Sequence, residues 1–116
     1  MNELPSFIDT LPEAAMSVAN ARGWISQAAD HQVVFLTFPA GTKAAPHTHG
    51  AQWGVVLAGE MLLTIAGETR RYGVGDWHYV PAGAVHSAEF SADTFLMDVF
   101  ADVDRYRSKP ASSASP

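Results

Sequence analysis

The segments that most constrain the fold are short apolar and β-branched runs that recur along residues 31–101. The clearest run is His31–Phe38, which ends at Pro39. Turn residues follow about every eight to twelve positions, a spacing typical of closed or double-sheet all-β folds. Further strands are predicted at Gln52–Ala58, Met61–Ile65, Thr69–Tyr72, Trp77–Val80, Val85–Phe90 and Thr94–Ala101. We therefore predict an all-β fold without βαβ units.

The 116 residues correspond in length to one domain. Residues 1–15 are predicted to form an N-terminal arm with one helical turn between Thr10 and Ala15. Residues 16–107 are assigned to the barrel domain, which begins with a bent strand at Met16–Gln27. Residues 108–116 are small and polar, so a disordered tail is expected there.

The composition excludes several kinds of site and partner. The chain has no cysteine, which excludes disulfides, thiolate metal sites and cysteine nucleophiles. The formal net charge is −5 and the densest basic spot is Arg70–Arg71, so no nucleic-acid partner is expected. No apolar run approaches the ~18–20 residues of a membrane span, and Met1–Pro5 does not resemble a secretory signal. We expect a cytoplasmic protein with no membrane partner.

His47 and His49 are the first candidates for metal ligands. Side chains alternate between the two faces of an extended chain, so these two imidazoles are predicted to point the same way. Imidazole nitrogen readily binds divalent metals such as zinc, nickel, copper and iron. The other ligands must come from elsewhere in the chain, and His86 is a candidate.

These histidines belong to two motifs that glycines delimit. The first motif consists of Gly41, His47, His49, Gln52 and Gly59, and the second of Gly75, Pro81, Gly83 and His86. Their spacing resembles the two signature motifs of the cupin superfamily, Gly-x5-His-x-His-x3–4-Glu-x6-Gly and Gly-x5-Pro-x-Gly-x2-His-x3-Asn. The resemblance covers residues 41 to about 90, and matching both motifs is far more specific than a single His-x-His pair.

The resemblance implies a double-stranded β-helix, which is a jelly-roll barrel with a divalent metal inside its wider mouth. It implies that His47, His49 and His86 are metal ligands, and that Gln52, which stands where the family usually has Glu, is the fourth ligand. Zinc, nickel, manganese or iron would suit this site. A homodimer is also expected, because small single-barrel cupins commonly pair and because the arm and the aromatic-rich strands offer apolar surface.

Two positions depart from the family's pattern. Only two residues separate His49 from Gln52, one fewer than usual, and Phe90 replaces the Asn that ends the second motif. Phe90 indicates an apolar wall. The Gln is similar to that of small cupins that process pectin-derived uronates, so it is compatible with a working site. A neutral Gln52 leaves the ion's charge uncompensated, which favours polarising a carbonyl or binding a carboxylate.

The resemblance favours a metal-dependent enzyme, an isomerase or lyase, that acts on a small sugar acid or other carbonyl compound by Lewis-acid catalysis. Two alternatives stay open: a non-catalytic module that binds a small, anionic ligand, and a cupin dioxygenase. The fold does not separate them, because function depends on the site. A carboxylate or base lining the cavity would favour the enzyme over the sensor.

Other conspicuous side chains are given structural roles. His78 is predicted on the outer face of its strand, with an acid/base role inside the pocket as the alternative. Glu89 lies three residues after His86 and is predicted to point outward. The aromatic residues assigned to the core or to a dimer interface are Trp53, Trp77, Tyr79, Phe90 and Phe95.

Overall fold

The computed structural model describes residues 4–110, which form one short helix and two antiparallel sheets. The elements are α1 (Ser6–Asp9), β1 (Arg22–Gln27), β2 (Gln32–Phe38), β3 (Lys43–His47), β4 (Gln52–Ala58), β5 (Glu60–Ile65), β6 (Glu68–Gly73), β7 (Trp77–Val80), β8 (His86–Glu89) and β9 (Thr94–Phe100). Within the described part of the chain, no helix is long and apolar enough to cross a membrane.

The strands are arranged as a jelly roll. One sheet has five strands in the order β1-β2-β9-β4-β7, and the other has four in the order β3-β8-β5-β6. Neighbouring strands in each sheet are often far apart in sequence, as in the pairing of β2 with β9. The predicted all-β jelly roll is therefore confirmed.

The inner faces of the two sheets build the core. Along β2 the inward positions alternate strictly, and Val34, Leu36 and Phe38 are at most 6% exposed. Phe38 stacks on Phe90, which directly follows β8 of the opposite sheet, with ring centroids 4.1 Å apart. Phe90 thus forms the apolar wall that its position in the second motif indicated, and fully burying such a side chain contributes about 1.5–3 kcal/mol.

The N-terminal arm differs from its prediction in detail. The helical turn lies at Ser6–Asp9, directly after Pro5, and not between Thr10 and Ala15. The first strand begins only at Arg22, because Asn20 adopts a left-handed backbone conformation (φ 63°) that interrupts an extended chain.

The arm is fastened to the C-terminal end of the barrel. Ala14 pairs with Ser108 in an isolated β-bridge, so the chain is still paired at the predicted start of the tail. Glu13 accepts hydrogen bonds from Arg22 and Lys109, which together lower the pKa of this carboxyl to about 2. The first residues of the predicted arm and residues 111–116 of the predicted tail lie outside the described residues.

Candidate metal centre

The two sheets enclose a cavity of about 570 Å³. Polar side chains on its lining include His47, His49, Gln52, His78, His86, Asp98 and Arg105. Apolar side chains make up much of the remaining lining, and Leu36, Met61, Leu96 and Phe100 are among them. A mostly apolar cavity with a few converging polar groups is the usual form of a small-molecule site.

The histidines of the two motifs reach this cavity from two paired strands and one loop. His47 is the last residue of β3 and lies opposite His86, the first residue of β8. A shift in register between Ala44 and His47 interrupts the pairing of these two strands. His49 lies in the loop before β4, so the extended segment predicted for both histidines ends at His47.

The three imidazoles converge. Ring centroids are 4.1 Å apart for His47 and His86, 4.6 Å for His49 and His86, and 5.4 Å for His47 and His49. One nitrogen of each ring lies within 4.8 Å of those of the others. His49 Nε2 and His86 Nε2 are 3.0 Å apart, which suits neighbouring ligands bound to one ion at about 2.0–2.1 Å. The predicted ligands form a cluster that could hold a metal ion.

Main-chain carbonyl groups fix which ring nitrogen faces the cluster. The Nδ1 atoms of His47, His49 and His86 lie 2.7, 2.8 and 2.9 Å from carbonyl oxygens one or two residues away. A carbonyl oxygen only accepts hydrogen bonds, so each Nδ1 carries a proton and donates it. Each neutral ring therefore presents an unprotonated Nε2. Two such lone pairs face each other 3.0 Å apart, which a shared cation would stabilise.

Burial keeps two of these rings in the form that binds metals. It lowers the pKa of His86 to about 4, and it also lowers the pKa of His49. Desolvation disfavours the charged ring, so both imidazoles are neutral at pH 7. Neutral imidazole is the form that coordinates a metal, whereas a protonated ring has to lose its proton first.

Gln52 lies at the start of β4 and lines the same cavity. Its amide nitrogen donates a hydrogen bond to Asp98 Oδ2 at 3.0 Å, which leaves the amide oxygen available as a ligand. A glutamate has no hydrogen to donate here and would place two carboxylates side by side. The neighbouring Asp98 thus gives a physical reason for glutamine at this position, and ligation by Gln52 stays a prediction.

We expect Gln52→Glu to destabilise the metal-free protein and to increase the stabilisation that added metal provides. Loss of the donor to buried Asp98 should cost about 1–3 kcal/mol of unfolding free energy, and a cation would offset the new repulsion. The measurement is the change in melting temperature of both proteins on adding zinc. Equal zinc-induced changes in the two proteins would place Gln52 outside the coordination sphere.

Asp98 and Arg105 are polar residues of the cavity that sequence reasoning missed. Asp98 lies on β9 between Leu96 and Phe100, which both face the core, and it is only 2% exposed. Its Oδ1 has no hydrogen-bond partner among the described residues. A lone acidic residue at an inward position of an apolar strand was the signal in the sequence, since buried carboxylates need a partner or a function.

The prediction that His78 lies on the outer face is wrong. Its strand β7 turns this ring inward, where it is 2% exposed and lines the cavity. His78 Nε2 lies 3.3 Å from Asp98 Oδ1, but the contact lacks the geometry of a hydrogen bond. Gly54 makes the contact possible, because a Cβ there would lie 1.9 Å from Asp98 Oδ1 and 2.7 Å from the His78 ring.

Arg105 supplies a positive charge beside the histidine cluster. Its guanidinium lies 4.5 Å from the ring centroid of Tyr106 and 5.7 Å from that of Phe100. Its charge contributes to lowering the pKa values of His49 and His86, although burial is the larger cause. The Arg105 Nε is buried without a hydrogen-bond partner among the described residues. This cation is suited to an anionic ligand that shares the cavity.

Comparisons with known proteins agree with this architecture. Residues 34–100 match the family model described as Cupin_2, cupin domain. The structure is similar to KdgF from Halomonas sp., with 26% sequence identity, a TM-score of 0.67, and coverage of 75% of this chain and 83% of that one. No curated protein matches the sequence.

Two further solved structures share the fold. An RmlC-like cupin from Shewanella frigidimarina has a TM-score of 0.74 at 22% identity, with coverage of 85% of this chain and 90% of that one. The salicylate 1,2-dioxygenase from Pseudaminobacter salicylatoxidans has a TM-score of 0.70 at 18% identity, but the match covers only 31% of that chain against 82% of this one. Identities this low show the fold alone.

Proposed function

The chain belongs to the Cupin_2 family, and from that premise we propose that it is a metal-dependent isomerase or lyase acting on a small anionic carbonyl compound, such as a sugar acid. The observation that carries this proposal is the buried Asp98, which lines the same cavity as the three converging histidines. A metal centre alone would equally suit a binding module. A buried carboxylate, one of whose oxygens has no hydrogen-bond partner in the described part of the chain, adds a group that can accept a proton.

The donor set fits a divalent ion held by His47, His49 and His86, with Gln52 as a neutral fourth ligand. Such an ion would supply a positive charge that its own ligands do not neutralise, and this charge would polarise a carbonyl oxygen and stabilise an enolate-like species. All of these protein ligands are uncharged, so an anionic substrate would meet no repulsion from them.

Other groups of the chain would bind and orient the substrate. Arg105 would pair with a substrate carboxylate, since its charge acts on the histidine cluster and its Nε has no hydrogen-bond partner among the described residues. Asp98 would take a proton from the carbon next to the substrate carbonyl. His78, in contact with Asp98, would hold that carboxylate in place. Phe100 and Leu96 would exclude water from the cavity.

Fewer observations support the two alternative functions. A sensor needs the ligands and Arg105 but gives no reason to bury Asp98 and His78 together. A dioxygenase remains the third candidate, although the likeness to salicylate 1,2-dioxygenase extends only to the fold. Oxygen uptake by the iron-loaded protein would identify the dioxygenase directly.

We expect Asp98→Asn to reduce turnover by about 100- to 10,000-fold, as removal of a general base does. The probes are pectin-derived uronates and simple 2-keto acids, and product formation is followed by NMR on protein loaded with zinc, nickel, manganese or iron. Metal content should stay near the wild-type value, because Asp98 is not part of the cluster of residues that could hold the ion.

The matched control is Asp9→Asn, which removes an exposed carboxylate on α1 that is not part of the cavity lining. Its turnover should equal that of the wild type. Binding of these acids without any turnover, in all four metal forms, would instead support the sensor. Unchanged turnover in Asp98→Asn would remove the proton-accepting role from the proposal.

A further inference from the structure

Gln32 is a buried polar side chain that lies outside the candidate site. It is the first residue of β2 and belongs to the same inward series as Val34, Leu36 and Phe38, where it is 1% exposed. It is not part of the cavity lining. Burying an amide costs free energy unless its hydrogen-bonding groups find partners. The partners of Gln32 therefore indicate the role of this side chain.

The amide group of Gln32 binds the main chain of Tyr106 at two points. Its Oε1 accepts a hydrogen bond from the Tyr106 N–H at 3.0 Å, and its Nε2 donates one to the Tyr106 carbonyl oxygen at 2.9 Å. Nε2 also donates to Oε1 of Gln27, at 2.7 Å. A neutral amide suits this combination, because a glutamate cannot donate and a lysine cannot accept. Gln32 thus fixes the main chain at Tyr106, as a neighbouring strand would.

Gln27 holds the same stretch of chain at a second point. It is the partner of Gln32 in the pairing of β1 with β2, and its Nε2 donates a hydrogen bond to the Val103 carbonyl oxygen at 2.9 Å. Residues 101–107, which we call the 101–107 segment, form neither a helix nor a strand. No regular ladder of main-chain hydrogen bonds therefore fixes this segment. The two glutamines hold it on both sides of Arg105.

Arg105 is a cavity-lining group whose position depends on this segment. It directly precedes Tyr106, and its guanidinium carbon lies 4.5 Å from the centroid of the Tyr106 ring. That ring packs edge-on against the ring of Phe100, with centroids 5.6 Å apart. Both aromatic residues line the cavity together with Arg105. Moving the main chain at Tyr106 would therefore displace a positive charge that the cavity offers to an anion.

We propose that Gln32, supported by Gln27, is a positioning residue that keeps Arg105 facing the cavity before a ligand arrives, and so makes the site selective for carboxylates. The choice of ligand rests on the proposed function, whereas the effect on Arg105 does not. A long arginine side chain on an irregular segment samples many positions, and only some of them can pair with a carboxylate. Fixing it in advance lowers the entropy cost of binding.

The first test follows the Arg105 Nε–H signal in NMR spectra of the full, isotope-labelled chain. In the wild type this proton should exchange slowly with water, because Nε is buried. Gln32→Met removes both bonds to Tyr106 but keeps a side chain of similar length. We expect the exchange rate to rise at least about tenfold in this variant, because exchange follows the population of the open form. Arg105→Lys, which has no guanidinium, assigns the signal.

The second test measures ligand selectivity by isothermal titration calorimetry on the zinc-loaded protein. The probes are galacturonate, which carries a carboxylate, and galactose, which is neutral. If Arg105 takes its present position only about a tenth of the time in Gln32→Met, the affinity for galacturonate falls about tenfold. The affinity for galactose should not change, because galactose has no charge to pair with Arg105.

Thr94→Val is the matched control. Thr94 is also buried, and its hydroxyl makes hydrogen bonds with main-chain groups of Glu60 and Ala92. The substitution therefore removes buried hydrogen bonds as well, but at the opposite end of the β2–β9 pairing from Gln32. We expect a comparable loss of stability, with the exchange of the Arg105 proton and the affinity for galacturonate unchanged.

Circular dichroism shows whether each variant is folded, and Gln27→Met, at an exposed position, replaces Gln32→Met if that protein does not fold. An unchanged exchange rate for the Arg105 proton in a folded variant would overturn the proposal. An unchanged affinity for galacturonate would overturn the part that concerns selectivity. A wild type that does not bind galacturonate would contradict the proposed function, and the exchange rate would then decide the positioning role by itself.

Discussion

Replacing His86 with alanine should abolish metal binding, reducing the metal content from about one ion per chain to less than about a tenth. His86 is the ring common to the two shortest centroid distances in the cluster, and its Nε2 faces that of His49 at 3.0 Å. In this variant only two of the three imidazole ligands, those of His47 and His49, would remain to bind the ion. Elemental analysis of protein prepared without a histidine tag measures the effect directly.

Thermal unfolding gives an independent measurement of the same effect. A ligand at 100 times its Kd stabilises the native state by about 2.7 kcal/mol, so zinc should raise the melting temperature of the wild type and not that of His86→Ala. His31→Ala is the control, because His31 lies directly before β2 and outside the cavity lining. Metal content in His86→Ala equal to that of the control would show that the cluster does not bind the ion.

Gly54→Ala should have the second-largest effect, although it adds only one methyl group. The new Cβ would lie 1.9 Å from Asp98 Oδ1 and 2.7 Å from the His78 ring, so the Asp98 carboxylate has to move. Overpacking of this kind costs about 1–3 kcal/mol of unfolding free energy. The displaced carboxylate would also lose its hydrogen bond from Gln52, so turnover should fall with it.

The matched control is Gly73→Ala on β6, where the nearest atom to an added Cβ is 3.8 Å away. Urea denaturation measures the stability of both variants. Assays of turnover and of metal content measure the effect on the candidate site. Gly54→Ala should be less stable than Gly73→Ala while retaining its metal, because the atoms nearest to the added Cβ belong to Asp98 and His78 and not to the converging histidines. Equal stability and equal turnover in the two variants would show that the space above Gly54 does not position Asp98.

The sequence predicted the fold and the histidine cluster because both depend on local spacing. Glycines and prolines at fixed intervals define the turns, and those turns bring His86 back to His47 across one strand pair. Parity along an extended chain then fixes where each side chain points. The same rule correctly places Glu89 outside and the wall residue Phe90 inside.

The sequence could not place His78, and the reason is physical. Parity gives the side of a strand only when one face is clearly apolar and the other polar. On β7 the outward residues Trp77 and Tyr79 are as apolar as the inward Val80, so the pattern favoured the wrong side for His78. The contact of Asp98 with Gln52 and His78 could not be predicted either. It depends on the pairing of β9 with β4, which are distant in sequence, and no local motif encodes that pairing.

The candidate site is divided between the two sheets. His47 and His86 belong to the four-stranded sheet, whereas Gln52, His78 and Asp98 belong to the five-stranded one. The distance between the histidine cluster and Asp98 therefore depends on how closely the two sheets pack, for example where Phe38 stacks on Phe90. In the proposed enzyme, substitutions deep in the core would therefore change the distance between the metal ion and Asp98, and with it the size of substrate that fits between them.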